Sequence, residues 1–524
     1  MSYTSYSYLL IFLGTVFICY TAVPKKFKWT VLLLTSYVFY WINSKGLIVF
    51  LLLSTVAVYF AGIFLNRIND TAALAKRGLE REEKKEVKAL VNWQKRAVVA
   101  LAVGFIFAIL LILKYSAFFA HTLNSAFGFL HLKELKFMLP LGISYYTLQA
   151  AGYIIDVYRG KYRASENFGK VALFLCFFPQ IVEGPIGRFD KLADLLYEGH
   201  GFDYDRLAKG VQLIFWGLFK KMVIADRANI FVVQVFDGYN NYSGSIVLLG
   251  GLLYTLQIYA EFSACMDIVT GSAQIFGVPL AKNFERPFFS KSVGEFWRRW
   301  HITLGAWLRD YVFYSVSLSK PFMKLSKFAK KHFNEFLGSL VPASFAMFFT
   351  WFGIGFWHGA GWKYIVYGFY YYAIMMAGMY LEPLFARAFT ALKINRESVP
   401  LNALRIIRTI IIVIGGMMLF RADTVGVWGG MLKSIFTSFG AGGFFNTALS
   451  LGMDKQDFLI IAIGALVMLI ISLLQEKGIK VRESLARQKL PVRWSVYACL
   501  VLACVIFGAY GAGYDAVDFI YGQF

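Results

Sequence analysis

Of the six histidines in this 524-residue chain, His358 stands apart because it lies in an aromatic, apolar run, FFTWFGIGFWHGAGW, from Phe348 to Trp362. An imidazole at membrane depth is costly unless it faces a cavity or a partner. With a reference pKa of about 6.5 it can take and return a proton at neutral pH, which is the task of a general base. The flanking glycines carry no side-chain bulk and would let a substrate approach the backbone closely. The residue type alone leaves a second reading equally open, a histidine hydrogen-bonded between packed helices.

His301 sits in Phe296-Trp297-Arg298-Arg299-Trp300-His301, with Trp307, Arg309 and Asp310 close behind. Arginine offers forked donors to phosphate, and an indole face can stack on a purine. Trp297, Arg298 and Arg299 would therefore suit an anionic, nucleotide-bearing donor such as an acyl-CoA. The same residue types also form interfacial Trp/Arg belts. Three carboxylates complete the set of candidates. Glu183 lies in FPQIVEGP (178–185), where proline and glycine break a helix, and Glu261 and Asp267 lie in one apolar run. Six residues apart, those two cannot share one face of a regular helix. Either the helix is interrupted, or one carboxylate lines a cavity while the other pairs with a base such as Arg298 or Arg309. His121, His131, His200 and His332 fall in polar loops and read as solvated. His200 with Asp205 has the His-x4-Asp spacing of glycerolipid acyltransferases, a two-letter pattern that is set aside. There is no Gly-x-Ser-x-Gly elbow, P-loop or His-Glu-x-x-His helix. The five cysteines lack metal spacing and read as packing residues, so no metal is expected.

The elements that must carry these residues are membrane helices. Hydrophobic residues make up 58% of the chain and charged ones 16%, against roughly a quarter charged in soluble proteins. Apolar runs near 6–23, 30–42, 47–66, 97–114, 138–157, 170–183, 207–224, 245–263, 341–357, 362–381, 404–420, 457–474 and 494–512 are candidate helices. A span needs about 20 apolar residues, so short runs such as 170–183 read as re-entrant or tilted, leaving about eleven crossings. The first run lacks a basic flank and cleavage site and reads as a retained helix. The net charge of +22 points to basic loops and anionic lipid headgroups, not to nucleic acid. Lysines at 25, 26 and 28, one at 45, and a dense cluster over 67–96 put the N-terminus outside and 67–96 in the cytoplasm, as a solvated or surface-lying helix. A second basic block, 282–331, reads as cytoplasmic too. No repeat and no linker divides the chain, so a single membrane domain over 1–524 is expected.

Four motifs taken together, LPLGISYY (139–146), YIIDVYR (153–159), FWRRWH (296–301) and WHG (357–359), resemble the membrane-bound O-acyltransferase family. The resemblance is densest over 138–370 and strongest to the bacterial branch, which includes alginate and peptidoglycan O-acetyltransferase membrane subunits and the teichoic-acid D-alanylation subunit. It implies an all-α polytopic fold, with re-entrant and interfacial helices around a central tunnel. His358 would be the family's near-invariant histidine deep in that tunnel, and His301 a second one at its cytoplasmic mouth. Relatives read Asp-Phe-Ser-Gly-Tyr-Ser-Asp where this chain has EFSACMD (261–267), so the resemblance keeps Asp267 but gives Glu261 no carrier role. The ending FIYGQF (519–524) is similar to the Phe-x-Tyr-x-x-Phe-like tail of polysaccharide-acetylating relatives. In the D-alanylation system a similar ending belongs to a separate small membrane protein, whose tyrosine carries the acyl group as an ester; by that resemblance the relay role falls on Tyr521. An interfacial aromatic anchor is the other reading of 514–524.

The activity so implied is O-acetylation of an extracytoplasmic polysaccharide, from the bacterial cytoplasmic membrane. Acetyl-CoA is the donor substrate, no cofactor is bound, and an SGNH hydrolase-like partner works outside. Rival readings are a flippase or transporter that uses Glu183, Glu261 and Asp267 as coupling sites, or an acyltransferase with a D-alanyl group or a lipid or protein acceptor. A transporter with inverted halves should show paired broken segments, and none is evident in the sequence.

Overall fold

The computed structural model describes residues 1–510 together with Phe519. Tyr521 lies outside the described residues. The regular structure of those residues is helical, and the one β-feature among them is a single antiparallel bridge between Phe284 and Trp300. Seven segments among them are long and apolar enough to cross a membrane: Lys25–Ala75, Arg81–Ala126, Gly244–Ile275, Glu335–His358, Val399–Arg421, Lys455–Glu476 and Leu490–Phe507. At 1.5 Å per residue the 24-residue helix Glu335–His358 rises about 36 Å, more than the roughly 30 Å of bilayer hydrocarbon. The chain is thus a multi-pass membrane protein.

The charged stretch 67–96 is divided between two helices, and its part from Arg81 on is helical and largely exposed, as expected of a solvated helix. Ile48–Ala75 runs on through Asn66 and Asp70, and a new helix, Arg81–Leu110, begins in the charged region and continues into apolar sequence. The break between them centres on Gly78, at φ +78°. Glu80 and Glu83 close a reciprocal capping box, and the Glu/Lys-rich first turns have high helix propensity with no proline from there to residue 110.

The chain forms two compact units, one comprising Met1–Val211 with Val269–Ala281 and the other Gln212–Ile268 with Lys282–Phe524. In the first, helix Ile143–Tyr158 is buried along nearly its whole length. Gly142 starts it at φ +67°, and a Cβ there would lie 1.8 Å from the Ile181 carbonyl oxygen; only glycine fits the LPLGI motif at that point. Helix Phe168–Cys176 has nine residues, too short to span, as expected of the 170–183 run. The irregular backbone after it is tied down: Tyr3 Oη donates to the Phe178 carbonyl (2.7 Å), and Phe178 N–H donates to Ser36 Oγ (3.0 Å). In lipid, non-helical backbone is tolerated only where such partners exist. Glu183 is buried in this unit, 1% exposed. His200 is not merely solvated: its Nε2 lies 3.2 Å from the Leu195 carbonyl oxygen, and its backbone N–H donates to Tyr20 Oη.

The second unit is organised around Glu335–His358 and Trp362–Ala391, which pack as a helical hairpin. Gly355 and Gly368 permit the close approach. A Cβ on Gly355 would lie 2.3 Å from the Tyr364 carbonyl oxygen, and one on Gly368 would lie 2.3 Å from that of Trp351. Small residues at a helix crossing are the usual device where lipid offers no hydrophobic drive for association.

Candidate active site

His358 is the last residue of its helix, and Gly359-Ala360-Gly361 separates it from the next. Glycine is a poor helix former, and both glycines here are extended. His358 is 4% exposed. Its ring is enclosed by Trp357, Phe420 and Tyr367, at centroid distances of 5.1, 5.2 and 5.9 Å. The room left by Gly359 is used by the protein itself. A Cβ on Gly359 would lie 2.3 Å from the Tyr364 ring, so the expectation that this glycine lets a substrate reach the backbone is corrected. Gly355→Ala should therefore push the two helices apart one turn before His358. Overpacking of this kind costs about 1–3 kcal/mol. We expect a lowered melting temperature and a fall in acyl transfer of about tenfold or more, read by size-exclusion thermostability and a transfer assay.

His301 reaches the same place from a different segment. The Phe284–Trp300 bridge is flanked by two backbone hydrogen bonds, Glu285 N–H to Arg299 O (2.9 Å) and Ile302 N–H to Asn283 O (3.0 Å). This pairing presents His301 at φ +48°, in the left-handed region, where it starts helix Ile302–Leu308. Non-glycine residues rarely sit there, and such conformations concentrate at functional sites. His301 is 2% exposed, with Phe262 edge-on at 4.9 Å and Trp357 at 5.7 Å. Its ring centroid is 6.5 Å from that of His358. Burial pulls the His301 pKa down to about 3, so the imidazole is neutral at physiological pH. Its Nδ1 lies 3.3 Å from Oδ1 of Asn283, a residue the sequence did not single out.

The two carboxylates on Gly244–Ile275 stand on an unbroken helix and find neither Arg298 nor Arg309. Asp267 pairs with Lys220 (2.7 Å) and Glu261 with Lys221 (3.1 Å), while Arg309 pairs with its neighbour Asp310. Residues 261 and 267 are about 120° apart around their helix, and consecutive residues are about 100° apart on theirs. Two adjacent lysines can therefore serve both. Lys220 and Lys221 lie in a π-helical turn, Phe219–Ala225, a local widening frequent at functional sites. Lys221 also holds Asp226 (2.6 Å), and the Phe519 ring lies under its ammonium, 5.1 Å from Nζ to the centroid. The lysines escaped notice because they interrupt the apolar run 207–224. Only the carboxylates facing them explain how they are buried.

In the basic cluster, Trp297 turns inward, edge-on to Tyr371 (4.8 Å) and Trp351 (5.2 Å). Arg299 is engaged by Glu295 (2.8 Å) and Glu476 (3.2 Å). Arg298 is exposed, and no described ion pair involves it. Of the two arginines, Arg299 is the one held by described carboxylates.

Residues 165–420 match the model of the membrane-bound O-acyltransferase family. The chain is 31% identical over 444 residues to the "Probable alginate O-acetylase AlgI" of Pseudomonas aeruginosa, covering 84% of this chain and 75% of that protein. It therefore belongs to the membrane-bound O-acyltransferase family, and it is an O-acyltransferase. It is also 31% identical over 281 residues to the peptidoglycan O-acetyltransferase of Helicobacter pylori, covering 49% of this chain and 50% of that one. Against the teichoic acid D-alanyltransferase of Bacillus subtilis the identity is 27% over 257 residues, covering 46% and 59%.

Proposed function

We propose that the chain transfers an acetyl group from cytoplasmic acetyl-CoA towards an extracytoplasmic polysaccharide. His358 is the general base, His301 assists it, and Tyr521 is the acyl relay. The observation that carries this reading is the pair of buried imidazoles, 6.5 Å apart in one aromatic enclosure. The length of similarity to an alginate O-acetylase supports the acetyl group and the polysaccharide acceptor.

Arg298, with Trp297 behind it, receives the phosphates of the donor. His358 takes the proton from the acceptor hydroxyl as its oxygen attacks the thioester carbonyl. The carbon–oxygen bond forms, the carbon–sulfur bond breaks, and the proton passes on to the departing thiolate. Burial of both rings limits competing hydrolysis by keeping bulk water from the thioester. Phe519, two residues before Tyr521, is buried in the unit that contains both histidines, which favours a tail that works there and not merely as an anchor. A secreted SGNH hydrolase-like partner then takes the acetyl group from the tyrosine ester.

The test is label transfer from acetyl-CoA to the purified protein. Wild type should become labelled, and Tyr521→Phe, which keeps the ring and loses the hydroxyl, should not. Full labelling and full polymer acetylation in Tyr521→Phe would remove the relay. If acetyl-CoA fails with the partner present while another acyl donor labels the protein, the acetyl assignment falls.

A further inference from the structure

Asn283 is 3% exposed, and its side chain makes four contacts that together define its orientation. Oδ1 accepts from the Thr303 backbone N–H (3.0 Å) and from Thr303 Oγ1 (2.9 Å), and it lies 3.3 Å from His301 Nδ1. Nδ2 donates to Met266 Sδ at 3.2 Å. A backbone N–H can only donate, so the Asn283 atom facing Thr303 is its oxygen. An amide oxygen can only accept, so Nδ1 of His301 must carry a hydrogen to bond with it. In a neutral imidazole that makes Nε2 the lone-pair nitrogen.

We infer that Asn283 is a positioning residue that holds His301 in its Nδ1–H tautomer, leaving Nε2 as the nitrogen able to accept a proton. The backbone supports the assignment. Asn283 O accepts from Ile302 N–H and its side chain from Thr303, so one residue grips His301 and the two residues that follow it. Carbonyl-to-imidazole contacts set the tautomer of working histidines in just this way. For the reaction the consequence rests on the reading above: Nε2 of His301 is then a proton acceptor beside His358, and the ring cannot rotate to offer Nδ1 in its place.

The experiment uses the full chain in nanodiscs with 15N-labelled histidine. Six histidines make assignment practical, and His301→Gln identifies the resonances by their loss. Protonated-type nitrogen at Nδ1 and lone-pair-type nitrogen at Nε2 of His301 in wild type is the expected result. The opposite pattern, or a ring protonated at both nitrogens at neutral pH, overturns the inference. Asn283→Asp keeps an oxygen for Thr303 and should retain the tautomer. Asn283→Leu should lose it and lower kcat by about tenfold or more with donor KM little changed; an unchanged tautomer in a folded Asn283→Leu also overturns the inference. An Nδ1–H signature in a wild-type protein that transfers no acyl group would count against the catalytic reading alone.

Discussion

Replacing His358 with alanine lowers acyl transfer by about 10²–10⁴-fold, the range expected for loss of a general base, while the protein still inserts and elutes as a folded species. The side chain lost is enclosed by three aromatic rings at a helix end, so the alanine also leaves a cavity, and folded yield is measured beside activity. His358→Gln is the sharper form, since an amide fills the space and forms hydrogen bonds but takes up no proton. Transfer from labelled acetyl-CoA in purified protein, normalised to size-exclusion yield, checks both. Wild-type rates in either variant would strip His358 of the role. Because His301 lies 6.5 Å away, a double variant with His301→Gln should lose little beyond the His358 single, as residues acting as one unit are strongly non-additive.

The largest stability effect belongs to Lys221. Its ammonium, on a side chain only 1% exposed, serves both Asp226 and Glu261. Lys221→Met removes the cation and leaves two carboxylates at a buried site. Breaking a buried pair from one side costs about 3–5 kcal/mol, because the remaining charge keeps its desolvation penalty. A Lys221→Met/Asp226→Asn/Glu261→Gln triple variant removes the charges from all three partners and should recover most of the loss. Thermal unfolding in detergent, followed by fluorescence size-exclusion, distinguishes the outcomes. A single variant as stable as wild type would show that the network is not a structural post. A triple variant no better than the single would assign the loss to packing.

Much of the site was legible residue by residue, and what was missing has one cause. His358 and His301 stand out because a lone imidazole among aromatic residues conflicts with its surroundings, and such conflicts are visible in a linear string. Asn283, Lys220 and Lys221 do not stand out. An asparagine in a short polar loop is unremarkable until its oxygen is seen to accept from Thr303 and to lie beside His301. Two lysines at the end of an apolar run carry no partner in the linear sequence; Asp267 and Glu261 are found opposite them only in the fold. The glycines around His358 were legible as missing bulk, yet at Gly359 that room is filled by Tyr364.

The sequence by itself determined the solvent, the element type and the chemical class. Runs of about 20 apolar residues admit helices that satisfy their own backbone, and the ordered motifs carry the acyltransferase resemblance. Tertiary structure decided which groups are partners. It placed Glu183 in one unit and both histidines in the other, paired Glu261 and Asp267 with lysines and not arginines, and tied up Arg299 with Glu476. The physical reason is that helix formation depends on neighbours a few residues apart, whereas hydrogen bonds and ion pairs depend on distances of about 3 Å between atoms far apart in the chain. A linear pattern records the first and leaves the second to packing.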